Sequence, residues 1–105
     1  MAINTIPFET AKNWAAKWQS EPANKIKAFL IPKEDITQLF EFEGVCNVRT
    51  YFGIDKTGAQ KLMIVGVDEN GVDLIDYAKN QFVYDFAKAC PPTCDISSPL
   101  YNPKP

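Results

Sequence analysis

The chain has 105 residues, of which 46% are hydrophobic and 23% charged, and its formal net charge is −2. This length supports one domain with one core, and the composition is ordinary for a soluble globular protein, which excludes wholesale disorder. No apolar run is long enough to cross a membrane, and no basic cluster with interleaved aromatic residues indicates nucleic acid binding. The chain has no histidine, which removes Ser-His and Cys-His nucleophile pairs and the commonest metal ligand.

The N-terminal stretch Met1 to Phe8 lacks a basic start followed by an apolar run, so no secretory signal is visible. We therefore expect a cytoplasmic setting. We also expect residues 1–105 to form a single domain, with residues 1–6 and 102–105 frayed.

The first predicted element is a helix from about Pro7 to Ser20. Proline fits the first helical position, because its missing N–H would have no partner there. Apolar residues recur at helical spacing along one side of this helix and include Trp14 and Trp18, one turn apart. Two tryptophans on one helix could form a platform for a ligand, but we favour the interpretation that they pack on a sheet.

Residues 25–31 predict a strand, which Pro32 ends because the residue before a proline prefers an extended backbone. Pro32 also begins a short helix that continues to Phe40. The first turn of this helix is acidic, with Glu34 and Asp35 where the helix dipole favours negative charge. Its apolar residues are expected to face inward: Ile36, Leu39 and Phe40.

The stretch from Cys46 to Ile54 alternates, which predicts a strand. One face carries Arg49 and Tyr51 and is expected to lie near solvent or a groove. The other face is expected to meet the core with Cys46, Val48, Thr50, Phe52 and Ile54.

The next strand is predicted over residues 61–68, after a turn in which Gly58 takes a positive φ. This strand is apolar on both faces, which is typical of an interior strand covered on both sides. Asn70-Gly71 predicts a second turn, and residues 72–75 return as a short third strand. The acidic residues around this turn resemble a calcium loop, but the closing glutamate is missing and a hairpin turn explains them better.

The segment 76–88 is ambiguous, because its apolar residues fit either a helical stripe or one face of a strand. We favour a loop over 76–80 followed by a strand over 81–86. Five of the eight prolines lie in residues 89–105, so regular structure throughout this tail is excluded.

The most distinctive local pattern is Cys90-Pro91-Pro92-Thr93-Cys94. Two cysteines at this spacing fit a redox disulfide, a reactive thiol pair, or a zinc site completed by Cys46 and one more donor such as Asp95. They also fit a structural role, as small buried residues or as a short local bridge. The usual redox motif has two intervening residues, and structural zinc sites normally show two close cysteine pairs, so we favour the structural interpretation.

A second candidate site is formed by Arg49 and Tyr51, with Lys61 expected across from them. These three side chains could bind a small anion. Residues of this kind more often form a solvated face of a sheet, and we favour that interpretation.

Four segments together resemble a family of small uncharacterised bacterial proteins: KAFLIPKEDI from residue 27, VRTYFGID over 48–55, VGVDENGVDLI over 65–75 and YDFAKACPPTCD over 84–95. The resemblance spans residues 25–100. It implies that the cysteine-containing tail belongs to the domain and that residues 82–86 are extended. It carries over no catalytic residue.

We predict an α+β fold with a mainly antiparallel sheet of four or five strands, and with the N-terminal helix and the short second helix on one face. No group of residues indicates an enzyme mechanism, so we expect a non-enzymatic module that binds a protein partner or itself as a homodimer. No cofactor, nucleic acid or membrane is expected as a partner. The alternatives are a thiol-based redox or metal-binding protein that uses Cys90 and Cys94, and a small-ligand carrier with a pocket beside Trp14 and Trp18.

Overall fold

Two helices and five strands make up the regular structure of residues 3–103, which are the residues described by the computed structural model. They are, in chain order, α1 (Phe8–Ser20), β1 (Ala28–Leu30), α2 (Lys33–Phe40), β2 (Asn47–Ile54), β3 (Gln60–Val67), β4 (Asp73–Leu74) and β5 (Lys88–Cys90), with a 3-10 turn at Tyr77–Lys79 before β5. This composition confirms the α+β class. Both helices lie close to their predicted bounds, each directly after a proline.

The strands are divided between two sheets, so the prediction of one sheet with four or five strands is wrong. One sheet contains β2, β3 and β4 in that order, and the other contains β1 and β5. β1 and β5 have three residues each, and Pro32 and Pro91 follow closely after them. Proline cannot donate a ladder hydrogen bond, which keeps these two strands short.

The chain forms two compact units by its internal contacts. One comprises residues 3–28 and 89–103, and the other comprises Phe29–Lys88. α1 lies in the first unit and α2 in the second, so a common face for the two helices stays a prediction, as does the single domain. The fraying expected at the chain ends concerns in part residues 1–2 and 104–105, which lie outside the described residues.

The core of the second unit is built on β3. Leu62 and Ile64 on one face and Val65 and Val67 on the other are each no more than 6% exposed, which confirms an interior strand covered on both sides. α2 contacts this strand, and Leu39 of α2 lies over Gly66, where a Cβ would be 3.6 Å from Leu39 Cδ2. The same Cβ would lie 3.0 Å from Cγ2 of Val45, which leaves little room for a side chain at Gly66.

The turns that flank β3 are confirmed. Gly58 and Gly71 adopt φ values of 88° and 80°, which only glycine adopts without strain. The carboxylate of Asp68 accepts hydrogen bonds at 2.9 Å from the backbone N–H groups of Asn70 and Val72. This is the geometry of an Asx-stabilised hairpin turn, as favoured over a calcium loop.

The expected core face of β2 is wrong for four of its five residues, and the fifth, Val48, is half-buried. Phe52 and Ile54 are 80% and 74% exposed, and Thr50 and Cys46 are exposed as well. An eight-residue helix is about 12 Å long, whereas an eight-residue strand spans about 26 Å. α2 therefore covers only the part of the sheet near Gly66 and leaves the far end of β2 uncovered.

The inward face of α2 also differs from the prediction. Leu39 is buried, but Phe40 is 48% exposed, and Asp35 is buried with only 2% of its surface exposed. Asp35 and Leu39 are four residues apart and therefore share one face of the helix. The Oδ2 atom of Asp35 is buried without a hydrogen-bond partner among the described residues.

Between β4 and β5 the chain forms no strand and joins the three-stranded sheet at one residue, so the strand favoured over 81–86 is wrong. After the 3-10 turn at Tyr77–Lys79, Tyr84 forms an isolated antiparallel bridge with Ile64. The two residues exchange backbone hydrogen bonds of 2.8 and 2.9 Å.

The first unit contains α1 and the C-terminal segment. None of the 13 residues of α1 is buried. The helix is held by side-chain hydrogen bonds, which join Trp18 Nε1 to the carbonyl of Ile26 at 2.8 Å and Gln19 to the carbonyl of Leu100 at 2.9 Å. No helix within residues 3–103 combines the length and the apolar character that crossing a bilayer demands.

Candidate functional site

The strand β2 lies at an edge of its sheet, with β3 as its one strand neighbour. Thr50 of β2 lies opposite Ile64 of β3. Ile64 directs both its N–H and its C=O to Tyr84, on the side away from β2. Thr50 and Ile64 are therefore a non-hydrogen-bonded pair of the antiparallel ladder. In such a pair both residues direct their backbone groups outward, so the N–H and C=O of Thr50 point away from β3.

The same orientation repeats at every second residue of β2. Val48, Thr50, Phe52 and Ile54 direct their backbone groups toward the free edge, whereas the residues between them bond β3. Within residues 3–103, no backbone hydrogen bond from another segment reaches these four residues. The edge therefore presents four unpaired N–H and four unpaired C=O groups in a regular row.

The side chains beside this row are apolar and accessible. Phe52 and Ile54 are the most exposed of them, at 80% and 74%, and Tyr51 is 43% exposed on the opposite face. Natural edge strands are commonly protected by lysine, proline or short length. β2 has eight residues and contains neither lysine nor proline, whereas β4 at the other side of the sheet has only two residues.

The predicted pair Arg49 and Tyr51 shares one face of β2, as expected, and both residues bind Asp73 of β4. Arg49 Nη1 donates to Asp73 Oδ1 and, at 3.1 Å, to the carbonyl of Gly71, while the Tyr51 hydroxyl donates to Asp73 Oδ2. Lys61, which was expected across from them, lies instead opposite Gly53.

These hydrogen bonds change the titration of all three groups. The Tyr51 hydroxyl, followed by the Arg49 guanidinium, holds the pKa of Asp73 below its ordinary value of 3.8. The hydrogen bond to Asp73 raises the pKa of Tyr51 above 10.0 and also raises that of Arg49. Asp73 thus supplies the anion that the guanidinium binds, and the only charged side chain of β2 is neutralised within the same sheet.

The three cysteines are divided between the two units. Cys90 and Cys94 form a disulfide with a Cα–Cα distance of 4.9 Å, and Cys46 is a free, exposed thiol in the other unit. Cys90 is only 5% exposed, whereas Cys94 is half-buried. In the described part of the chain, no three cysteine or carboxylate side chains are grouped closely enough to hold a metal ion.

Trp14 and Trp18 are 62% and 51% exposed, so neither ring is buried, and the packing on a sheet that we favoured for them stays a prediction. They lie one turn apart on α1, and the indole N–H of Trp18 is engaged with Ile26. A shallow groove of about 450 Å³ lies instead beside α2 in the other unit. None of the predicted site residues lines this groove. The residues that line it are Lys33, Glu34, Thr37, Gln38 and Glu41.

Comparison of the chain with protein-family models, with curated proteins and with solved structures finds no match. The resemblance based on four sequence segments therefore stays a prediction.

Proposed function

We propose that this chain is a small non-enzymatic module that binds proteins by adding a strand to the free edge of β2. The observation that supports this function is the regular row of unpaired backbone groups at Val48, Thr50, Phe52 and Ile54. An extended segment of another chain would form main-chain hydrogen bonds with this row, and these bonds supply affinity in strand-addition complexes.

The side chains of the edge fit the same function. A strand added to β2 would place apolar residues beside Phe52 and Ile54, which are otherwise in water. The pairing of Arg49 with Asp73 leaves no free charge on β2 that would oppose such a contact. An unprotected edge of this length is a liability for aggregation unless it is used for binding, which favours a binding role.

A peptide selection tests the proposal without a known partner. A displayed library of random ten-residue peptides would be selected on the intact protein, and binding would then be measured against two variants. Thr50→Pro removes one outward N–H and leaves the bonds to β3 intact, because proline is tolerated where the N–H faces away from the sheet. Thr50→Val retains the N–H and serves as the control.

We expect selected peptides to alternate apolar residues and to shift the amide resonances of the outward-facing residues of β2. Their affinity should fall at least tenfold, a change of about 1.4 kcal/mol, in Thr50→Pro and stay unchanged in Thr50→Val. Peptides that bind both variants equally, or that perturb only resonances outside β2, would overturn strand addition as the mode of binding.

A second candidate function is thiol–disulfide exchange, which the bond between Cys90 and Cys94 favours. Cys94 is the more accessible of the two cysteines, so an incoming thiolate would attack its sulfur. The attack forms a mixed disulfide with Cys94, breaks the bond to Cys90 and releases Cys90 as a thiolate.

Alkylation of the denatured protein across a series of glutathione redox buffers tests this second function. Before reduction, one alkylated thiol is expected, from Cys46, and after reduction three. A midpoint near the potential of the glutathione pool would support a redox role. A disulfide that resists reduction in all physiological buffers would act only as a structural bond.

A further inference from the structure

We infer that the strand added to β2 is the β2 strand of a second copy of this chain, paired antiparallel about a two-fold axis that passes beside Tyr51. This inference rests on the proposed function and names the partner. The two three-stranded sheets would then become one continuous sheet of six strands, in which neither β2 is an edge.

The backbone row is complementary to itself in this register. With Tyr51 opposite the partner's Tyr51, Thr50 lies opposite the partner's Phe52, and Val48 lies opposite the partner's Ile54. All four outward-facing residues of each strand then form hydrogen-bonded pairs. The interface gains about eight main-chain hydrogen bonds, two for each pair.

The side chains also match across the axis. On one face, Phe52 packs beside the partner's Thr50, and Ile54 packs beside the partner's Val48, so the most exposed apolar side chains of β2 meet β-branched residues. On the other face, the two Tyr51 rings adjoin each other across the axis, an arrangement that adds aromatic contact.

Neighbouring registers are less favourable. An axis beside Arg49 would push two outward-facing residues of each strand, Phe52 and Ile54, beyond the end of the partner's β2. An axis at Thr50 or Phe52 would push one outward-facing residue of each strand beyond the end of the partner's β2. Only the axis beside Tyr51 pairs the whole row and places Arg49 opposite the partner's Gly53.

The charge and the size of the edge set the expected strength of the dimer. Because Arg49 is already neutralised by Asp73 of its own sheet, the two edges meet without charge repulsion. A single strand buries less surface than the roughly 800 Å² per partner of a standard interface. We therefore expect a weak, concentration-dependent dimer that depends little on ionic strength.

Sedimentation velocity over a concentration series, from micromolar to millimolar protein, measures the association. The wild-type protein and Thr50→Val should dimerise with the same constant, and Thr50→Pro should weaken dimerisation at least tenfold. Phe52→Lys should weaken it as well, whereas Phe86→Lys should not, since Phe86 is a similarly exposed phenylalanine that is not part of β2.

Disulfide trapping tests the register. In a Cys46→Ser background, Tyr51→Cys should cross-link to itself under mild oxidation, because directly opposed non-hydrogen-bonded residues have Cα atoms about 4.5 Å apart. Arg49→Cys and Gly53→Cys should not form symmetric cross-links, because each faces a different residue of the partner.

The outcomes separate the identity of the partner from the binding function. A wild-type protein that is monomeric at all concentrations, or a dimer that Thr50→Pro leaves unchanged, would overturn self-pairing at this edge. Symmetric cross-linking at position 49 or 53 in place of 51 would overturn the axis. Peptide binding that is lost in Thr50→Pro would in each case still support strand addition by a different partner.

Discussion

Arg49 and Asp73 lie on different strands and bind each other over the strand between them. Arg49 is opposite Val65 and Asp73 is opposite Val67, so the ion pair crosses β3 diagonally on the face where both valines are buried. The same pair neutralises the only charge of β2 and fixes the orientation of Tyr51. The hydrogen bonds to Asp73 thus join β2 to β4 and also leave the exposed edge of the sheet without a free charge.

Tyr51→Phe should raise the pKa of Asp73 toward its ordinary value of 3.8, because the Tyr51 hydroxyl is the largest cause of the lowered pKa. A titration of the carboxyl carbons by NMR measures this change. Asp55 is the internal control, since its pKa is lowered by the Thr57 hydroxyl and should not respond. An Asp73 that titrates identically in both proteins would contradict the bond.

The same bond predicts how stability depends on pH. A carboxyl group with a lowered pKa in the folded state stabilises the fold fully above its unfolded pKa, near 3.8, and loses this contribution as the pH falls through the lower folded pKa. Urea unfolding between pH 2 and pH 6 should therefore show a steeper acid loss in the wild-type protein than in Tyr51→Phe. Equal slopes would show that the hydrogen bond from Tyr51 to Asp73 contributes nothing to the acid dependence.

Asp35→Leu should stabilise the protein by up to about 2 kcal/mol after the lost helix-dipole interaction is subtracted. A buried polar group without a partner destabilises the fold by about 1 to 3 kcal/mol, and the substitution removes this cost. The substitution also removes a favourable interaction of the carboxylate with the helix dipole, which is worth up to about 1 kcal/mol. Glu34→Leu, in the same first turn but exposed, is the control and should not stabilise. Chemical denaturation measures both variants, and a loss of stability in Asp35→Leu would mean that the carboxylate is paired in solution.

The Asp35→Leu variant has a second measurable effect, on Tyr84. Burial and, after it, the negative charge of Asp35 raise the pKa of Tyr84. Removal of that charge should lower the pKa of Tyr84 toward 10.0, as followed by NMR of ring-labelled tyrosine. The pKa of Tyr51 should stay raised, because its cause is Asp73.

Gly66→Ala should destabilise the protein by about 1 to 3 kcal/mol, the usual cost of overpacking a core. The new Cβ would lie 3.0 and 3.3 Å from the two methyl groups of Val45. It would also lie next to Leu39 of α2. Gly53→Ala is the matched control in the neighbouring strand, because its Cβ would meet only the flexible end of Met63. Thermal unfolding should show a clear loss for the first and little change for the second; equal losses would contradict this packing.

Trp18→Phe should destabilise the first unit by about 1 kcal/mol, because it removes the hydrogen bond from the indole N–H to the carbonyl of Ile26. Trp14→Phe, on the same face of α1, should have little effect, since no hydrogen bond from its indole is found within residues 3–103. Hydrogen exchange along α1 measures the difference. The prediction fails if both variants exchange alike.

The local elements were largely predictable from the sequence, because their signals are local. Pro7 and Pro32 mark the starts of both helices, and Gly58 and Gly71 mark the turns that flank β3. The alternation through Arg49 and Tyr51 placed both side chains on one face of β2. Each of these signals depends on a few neighbouring residues and on backbone sterics.

The wrong predictions concern residues whose burial depends on the length or the orientation of another secondary-structure element. Phe52 and Ile54 are exposed because α2 is too short to cover the whole of β2. The alternation of apolar residues in β2 carries no information about the length of the helix that packs on it. The burial of Asp35 in place of Phe40 follows from the rotation of α2 on the sheet. Asp73, the partner that was missed, could have been found by continuing the alternation of β3 through the Asn70-Gly71 turn.

The second unit is an unbroken stretch, Phe29–Lys88, whereas the first unit is made from both ends of the chain. Because β1 pairs with β5, this stretch begins and ends on neighbouring strands, which lie about 5 Å apart in a sheet. A segment with adjacent ends has the architecture of an insertion, which a host hairpin can accept with little distortion. The stretch that carries the β2 edge is therefore a candidate cassette for grafting a strand-capturing surface into unrelated proteins.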